Sequence, residues 1–442
     1  AVLPLILLLC PALRGIAAAG EGGSVRTMRD LEARMYSKLA TSANTAFCFR
    51  THNSTHELGC AGWTGGRGLP LTSSEHFDEA DSPKGGVVLL VAAAEVEATL
   101  LTLAANESQS ARVKGLLVTN YTADGKGKPD SLSGAPSFPG AAYAPYGAAN
   151  YVWNPAGRGY GRNRYDFPIV MLDAETTTDA MSRVESNVAL RFSGAVHVAD
   201  VDGSMTARGD SLNCIEQGTC QPMGGHSVWA AMPPLPPMQE ELPDGLETER
   251  KDVVLVVAQA DTDAFFKGLA QGADAPMSGL IALLVAARLL STGGHAESYA
   301  RHIVFTTLVG EPWDYMGSRK FLWDLTTGAS TLEPLADHNI AGVVELGAMG
   351  QAGSGLYLHR QRGADFGDTS PLVDALKGAT GEGGLPVEEA DASNPGVPPS
   401  SLMSFLRANA SVPGVVVADF DSSFSNPYFQ SFLDSADDGL SG

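Results

Sequence analysis

Positive charge is scarce in this sequence. Its 442 residues carry 29 Lys and Arg against 50 Asp and Glu, a net charge of −21, and no basic run offsets the excess locally. Neutralising phosphates requires a basic face, so nucleic acid is excluded as a partner. Charge of either sign is sparse too: 18% of residues are charged and 44% hydrophobic, the make-up of a folded globular chain and not of an acidic disordered one. Past the N-terminus no apolar run approaches the ~20 residues of a membrane-spanning helix. The nearest, 277–290, is interrupted by Arg288 and reads as a buried helix. Catalytic signatures are missing as well: there is no P-loop or dinucleotide fingerprint, and Gly225-His226-Ser227 lacks the glycine that would complete a serine-hydrolase elbow. No internal repeat occurs.

Cysteine is rare, and its five copies are an odd number. Residues 2–9 are almost wholly apolar and are followed, after a short polar break, by Ala17-Ala18-Ala19-Gly20. Residues 1–19 therefore read as a secretory signal, although neither an initiator Met nor a basic segment precedes it. Loss of Cys10 with that signal leaves Cys48, Cys60, Cys214 and Cys220, an even set suited to two local disulfides in an oxidising compartment. Neither pair has the C-x2-C spacing of a zinc knuckle. Sequons at Asn53, Asn106, Asn120 and Asn409 agree with secretion as glycosylation acceptors.

The length is roughly three times the ~150 residues of an average domain, so at least two folded units are expected. In the second half, apolar runs of strand length at 252–258, 303–308, 340–346 and 414–418 alternate with helical patterns at 278–290 and 316–323. Strands apolar throughout are buried on both faces, which predicts a mostly parallel α/β sheet flanked by helices. The first half is looser: strands at 86–93, 114–119 and 167–173 with a helix near 95–104 predict a smaller α/β lobe. The proline-rich stretch Met232-Pro-Pro-Leu-Pro-Pro-Met238 reads as the linker, dividing 20–231 from 232–442. Arg208-Gly209-Asp210 reads as a polar turn.

In an open parallel sheet, ligands sit beyond the carboxyl ends of the strands. Those positions here carry Gln259-Ala-Asp261, then Gly272-Ala-Asp-Ala-Pro-Met-Ser-Gly279, then Gly310-Glu311-Pro312-Trp313-Asp314-Tyr315-Met316-Gly317-Ser318, and finally Gly347. That order resembles the two-zinc aminopeptidase fold, whose metals need converging His and carboxylate donors. Set against that pattern, Gln259 stands where the first His belongs, Ala275 where the bridging Asp belongs, Pro312 for a Glu ligand, Gly347 for a later Asp and Phe420 for the final His. Five lost donors leave too few to hold even one zinc tightly, so the expectation is a pseudo-peptidase with no metal and no cofactor. Glu311 occupies the place of the general base.

A metal-less aminopeptidase-like lobe with Asp314-Tyr315-Met316-Gly317-Ser318 after Gly310-Glu311 resembles the nicastrin family, the glycosylated ectodomain subunit of γ-secretase. Only Met316, for Ile, departs from that family's motif. Cys48 through Cys60 around Asn53, the Phe265-Phe266 pair, and Val397-Pro-Pro-Ser-Ser-Leu402 leading to Gly414-Val-Val-Val-Ala-Asp419 are similar to further family blocks. The likeness covers 251–438 closely and thins before it. It implies a bilobed ectodomain without catalysis of its own, on the lumenal or extracellular face of the membrane. Its implied partners are presenilin and the other γ-secretase membrane subunits, with the N-terminal stubs of type I membrane proteins as substrates. It also implies that Glu311, Asp314, Tyr315, Gly317 and Ser318 form the substrate-facing segment, and that Trp153 and Phe266 are the lid and pivot of the lobe contact. For Glu311 a second reading stands beside this one, a carboxylate that caps the following helix; for Tyr315 the second reading is a core side chain. The family ends in a transmembrane helix and this chain stops at Gly442, so a fragment or an isolated ectodomain is expected. Other classes that share these features are a secreted zinc aminopeptidase with relocated ligands and a peptidase-like recognition domain of the cell surface.

Overall fold

A computed structural model describes residues 46–436, apart from 49–50, 54–55, 62–68, 81–84, 135–142, 147–150, 193–196, 200, 202–215, 217, 219–224, 236–250, 330, 337, 352, 354 and 380–383. The signal sequence, Cys10, Cys214, Cys220 and the Arg208–Asp210 turn lie outside the described residues.

The smaller lobe is a six-stranded sheet of β1 (Ala46–Phe47), β2 (Leu69–Ser73), β3 (Val87–Val91), β4 (Val113–Val118), β5 (Ile169–Met171) and β6 (Val198–Ala199), in the order β1-β5-β4-β3-β2-β6. Its four central strands run parallel, and the two edge strands pair antiparallel. The period of two sends Val87, Leu89 and Val91 to one face and Val88 and Leu90 to the other. The first face packs against α1 (Val96–Ala105), through Val96, Leu100 and Leu103. The second packs against α2 (Ala174–Ala189), capped by the Asp173 carboxylate, which accepts from the Thr176 N–H at 2.8 Å.

The larger lobe is a seven-stranded sheet of β7 (Val228–Met232), β8 (Val253–Gln259), β9 (His302–Leu308), β10 (Ile340–Leu346), β11 (Leu356–Arg360), β12 (Val387–Glu389) and β13 (Gly414–Ala418), in the order β7-β9-β8-β10-β13-β11-β12. The central run β9-β8-β10-β13 is parallel, as the unbroken apolar strands predict. On one face Val256, Ala258, Val344, Val415 and Val417 meet α3 (Met277–Thr292) and α5 (Ser370–Gly378). On the other, Leu255, Val257, Val343 and Val416 meet α4 (Met316–Thr327) and α6 (Leu402–Ala408).

Two features differ from the sequence reading. Helix α3 lies in the outer layer and is not enclosed: Gly279 and Leu283 face the sheet, while Ile281 and Leu289 are 54% and 65% exposed. Residues 228–231, which the sequence division at 231/232 placed in the first unit, form β7 with Met232, hydrogen-bonded antiparallel to β9 over all five residues, so the large sheet starts ahead of the prolines. Segments also cross between the lobes. Tyr143 and Tyr146 pack into the large-lobe core, and Tyr428, Phe432 and Leu433 enter the small-lobe core.

Candidate functional site

The carboxyl ends of β8, β10 and β13 converge on one pocket. Gln259 ends β8, Gly347 follows β10, and Phe420 stands two residues past β13; with Ala275 they line a cavity of about 50 Å³. At ~15 Å³ per water it has room for about three waters and none for a peptide. Four of the five positions that matched lost metal donors in the sequence are thus brought together by the fold. Ala275, Gly347 and Phe420 offer no side-chain lone pair, and Gln259 offers a neutral amide. Phe424 and Phe429 complete the wall. Among the described residues no three His, Cys, Asp or Glu side chains are grouped so as to hold a metal ion.

The segment after β9 is built for tight chain reversal. Asp314 and Tyr315 both adopt left-handed backbone, with φ of 60° and 56°, and α4 starts at once. Gly317 must be glycine because a Cβ there would lie 2.5 Å from the Val309 carbonyl oxygen. Glu311 is fully buried; one oxygen accepts from the Ser318 N–H at 2.7 Å and the other from the Ser318 hydroxyl at 3.1 Å. The carboxyl therefore satisfies an amide of the first turn of α4. Tyr315 is also fully buried, stacked on Tyr143 with ring centroids 4.7 Å apart, its hydroxyl donating to the Met403 sulfur at 3.6 Å. Arg319 pairs with Asp314 at 2.9 Å and lies over the outer face of Tyr143. The Ser318 and Ser404 hydroxyls share a hydrogen bond of 2.7 Å. Glu311 thus makes the contacts of its helix-capping reading, and neither it nor Tyr315 presents a solvent face. A substrate group could touch Tyr315 only after Tyr143, which stacks on it, moved away.

Sequence reasoning missed Glu345. Its signal was a single acid near the end of the otherwise apolar strand Ile340–Leu346. It is buried, lines the cavity, and caps α6 by accepting from the Ser401 and Leu402 N–H groups at 3.0 and 2.7 Å. The Gln259 amide donates to it at 3.5 Å, and Asp261 accepts from the Gly310 N–H at 2.7 Å. Burial, with the Glu345 charge second, pushes Glu311 up to about 8; burial pushes Glu345 up to about 7 and Asp261 up to about 6. The folded chain thus holds protons that the unfolded chain has released above pH ~4.5, so stability falls as pH rises from there through the folded values. Thermal melts are expected to drop steadily between about pH 5 and pH 9, and Glu345→Gln is expected to flatten that drop. Glu311→Ala, which strands the Ser318 N–H in the interior and leaves the Ser318 hydroxyl its bond to Ser404, is expected to cost about 2 kcal/mol in chemical denaturation. Glu311→Gln, which keeps an acceptor for the amide, is expected to cost well under half of that near pH 7.

The lobe-contact residues separate. Trp153 is 1% exposed and meets Phe420 and His359 of the large lobe edge-on, at 6.4 and 5.7 Å. Phe266 instead packs on Phe265 and Phe432 within the small-lobe core. Each crosses between lobes, but they do not share a cluster. Cys48 and Cys60 are joined in a disulfide, tying the β1 region to the strand His56–Cys60. Of the sequons, Asn53 ends the strand Thr51–Asn53. Asn106, Asn120 and Asn409 each accept through Oδ1 from the hydroxyl two residues on, at 2.8, 2.6 and 2.6 Å.

The chain matches two family models in succession, the nicastrin small lobe over residues 47–207 and the nicastrin large lobe over 252–439. It is 31% identical to nicastrin of Arabidopsis thaliana over 438 residues, covering 95% of this chain and 61% of that one. To nicastrin of Homo sapiens it is 25% identical over 473 residues, covering 98% and 62%. The chain therefore spans about three fifths of the length of these relatives. Among solved structures, the crystal structure of the gamma-secretase component nicastrin superposes with a TM-score of 0.67 at 23% identity, over 90% of this chain and 70% of that one, and so shares the fold. With both lobe models matched in order and the fold shared, the chain belongs to the nicastrin family.

Proposed function

We propose that this protein performs no chemistry itself and serves a γ-secretase-type intramembrane protease as scaffold and substrate receptor, on the lumenal or extracellular side of the membrane. The carrying observation is the cavity at the strand ends. Where a two-zinc peptidase needs donors to bind and polarise water, this cavity presents Gln259, Ala275, Gly347 and Phe420 and is walled by aromatic rings. The buried Glu311, at the place of the general base, has its oxygens committed to Ser318. The relative of like fold is described as a gamma-secretase component, which supports the same assignment here.

In this reading, presenilin and the other membrane subunits are the partners, and the N-terminal stubs of type I membrane proteins are the ligands. The segment Asp314, Tyr315, Gly317 and Ser318, with Glu311 behind it, supports the receptor surface by holding the Tyr143 segment against the large lobe. Glycans at Asn53, Asn106, Asn120 and Asn409 fit the same side of the membrane. Purification of the full-length protein from native membranes is expected to bring down presenilin. Elemental analysis and an aminopeptidyl fluorogenic assay on the same material are expected to give neither stoichiometric zinc nor turnover; finding both would overturn the proposal.

A further inference from the structure

Residues 419–436 leave the end of β13, wall the cavity with Phe424 and Phe429, and then drive Tyr428, Phe432 and Leu433 into the small-lobe core. One strap thus walls the cavity and ties the lobes together. Its anchorage is a buried knot of three carboxyl groups. Asp274, just ahead of α3, accepts from the Asn426 amide at 3.0 Å and from the Gly350 N–H at 2.9 Å. Asp434, near the strap's end, accepts from the N–H groups of Asp274 and Ala275 at 3.0 and 3.4 Å. Asp419, at its start, accepts through one oxygen from the Gln351 N–H at 2.7 Å, while its other oxygen, Oδ1, is buried with no hydrogen-bond partner; because Asp274 and Asp419 take the consecutive amides of Gly350 and Gln351, their carboxyl groups lie side by side. All three residues are 4% exposed or less.

Two carboxyl groups in contact in a dry interior can coexist only if at least one is protonated. We infer that the strap 419–436 is a proton-held latch: with a proton shared between Asp274 and Asp419 it holds the cavity wall in place and locks the lobes, and loss of that proton loosens it. The groups that face the pair support this. From the strap come the Asn426 amide and the Asp434 carboxyl; from the loop after β10 come the Gly350 and Gln351 amides; from the start of α3 come backbone amides and Ser278, whose hydroxyl donates to the Asp274 carbonyl. None of these is a cation that would favour ionised acids. His359, beneath Phe420, is pushed down to about 4 by burial and stays neutral over the range concerned. Burial holds Asp274 above the usual carboxylate range, burial and then the Asp274 charge hold Asp419 above it, and burial raises Asp434 to about 6. By the sign of the linkage, the latch is tight in mildly acidic solution and weakens as pH rises toward alkaline values. The inference stands apart from the receptor reading, since it concerns only what holds this segment down.

Hydrogen–deuterium exchange of the full chain at pH 5.5 and 8.5, corrected for intrinsic rates, tests it. Peptides spanning 419–436 are expected to lose protection about tenfold or more at the higher pH. Asp419→Asn, which donates a permanent N–H to Asp274, is expected to abolish that dependence, whereas Glu345→Gln, in the other buried acid cluster, is expected to leave it. An equal pH dependence in wild type and Asp419→Asn would overturn the inference. So would a wild-type dependence no steeper in the strap than in β8 and β9, a comparison that decides the matter even if the variant does not fold.

Discussion

Trp153→Ala is expected to lower stability by about 3–5 kcal/mol, the range for removing a fully buried large aromatic. The ring comes from the first half of the chain and is inserted against Phe420, His359 and Tyr151, with centroid separations of 6.4, 5.7 and 4.8 Å. Its backbone carbonyl also accepts from the Phe424 N–H at 2.8 Å, so the residue holds both the end of β13 and the strap beyond it. Truncation leaves a void next to a cavity that already exists, and rigid neighbours in two lobes cannot both collapse into it. Chemical denaturation measures the loss directly. Limited proteolysis is expected to cut Trp153→Ala faster within 419–436, while Trp153→Phe, which keeps an aromatic edge for Phe420, is expected to cost less than half as much. A cost under about 1 kcal/mol for the alanine variant would mean that the ring is not a lobe contact in solution.

Gly279→Ala is expected to destabilise by about 3 kcal/mol, against the ordinary trend. In a helix interior, alanine is favoured over glycine by about 1 kcal/mol. Here a Cβ would sit 2.3 Å from the carbonyl oxygens of both Leu346 and Gly347. Those atoms are backbone at the end of β10, which is pinned between β8 and β13, so α3 must lift from the sheet to make room. Lifting it displaces Ala275, Pro276 and Gly347 together and reshapes the cavity wall. Gly293, just past the same helix, is the internal control. Its nearest neighbours are 3.6 Å or more away and its φ is −70°, so Gly293→Ala is expected to be neutral or to stabilise by a few tenths of a kcal/mol. Thermal melts of the two variants side by side check the contrast.

The central strands of both lobes were legible because burial on both faces demands unbroken apolar runs: the runs at 252–258, 340–346 and 414–418 became β8, β10 and β13 within a residue or so at each end. The lobe edges were not. Strand β7 is an apolar pentapeptide, Val228 to Met232, that ends exposed or half-buried beside a run of prolines, and β12 is two-thirds glutamate with no hydrophobic signal; each exists because its neighbour has backbone groups to satisfy. Helix α6 was obscured for another reason. Its first turn is stabilised by Glu345 from a strand more than fifty residues earlier, a cap that local sequence cannot announce.

For the site, the order of residues along the chain was enough to see that positions 275, 347 and 420 carry no side-chain donor, because donor chemistry belongs to side-chain identity: the side chains of alanine, glycine and phenylalanine have no lone pair wherever they are placed. It was enough, too, for the parallel sheet and for the family motif at 310–318. Direction and depth were decided in three dimensions. Glu311 and Tyr315 read equally well as cleft or core until the loop and α4 enclosed Glu311, and Tyr143, from a distant segment, stacked on Tyr315. Asp274, Asp419 and Asp434 are far apart in the chain and carry no signal of a shared site; it is the folding back of the strap that buries them together. Solvation is a property of what surrounds a group and not of the group, so the charge, proton and exposure of each of these side chains were settled only when residues more than a hundred positions apart packed against one another.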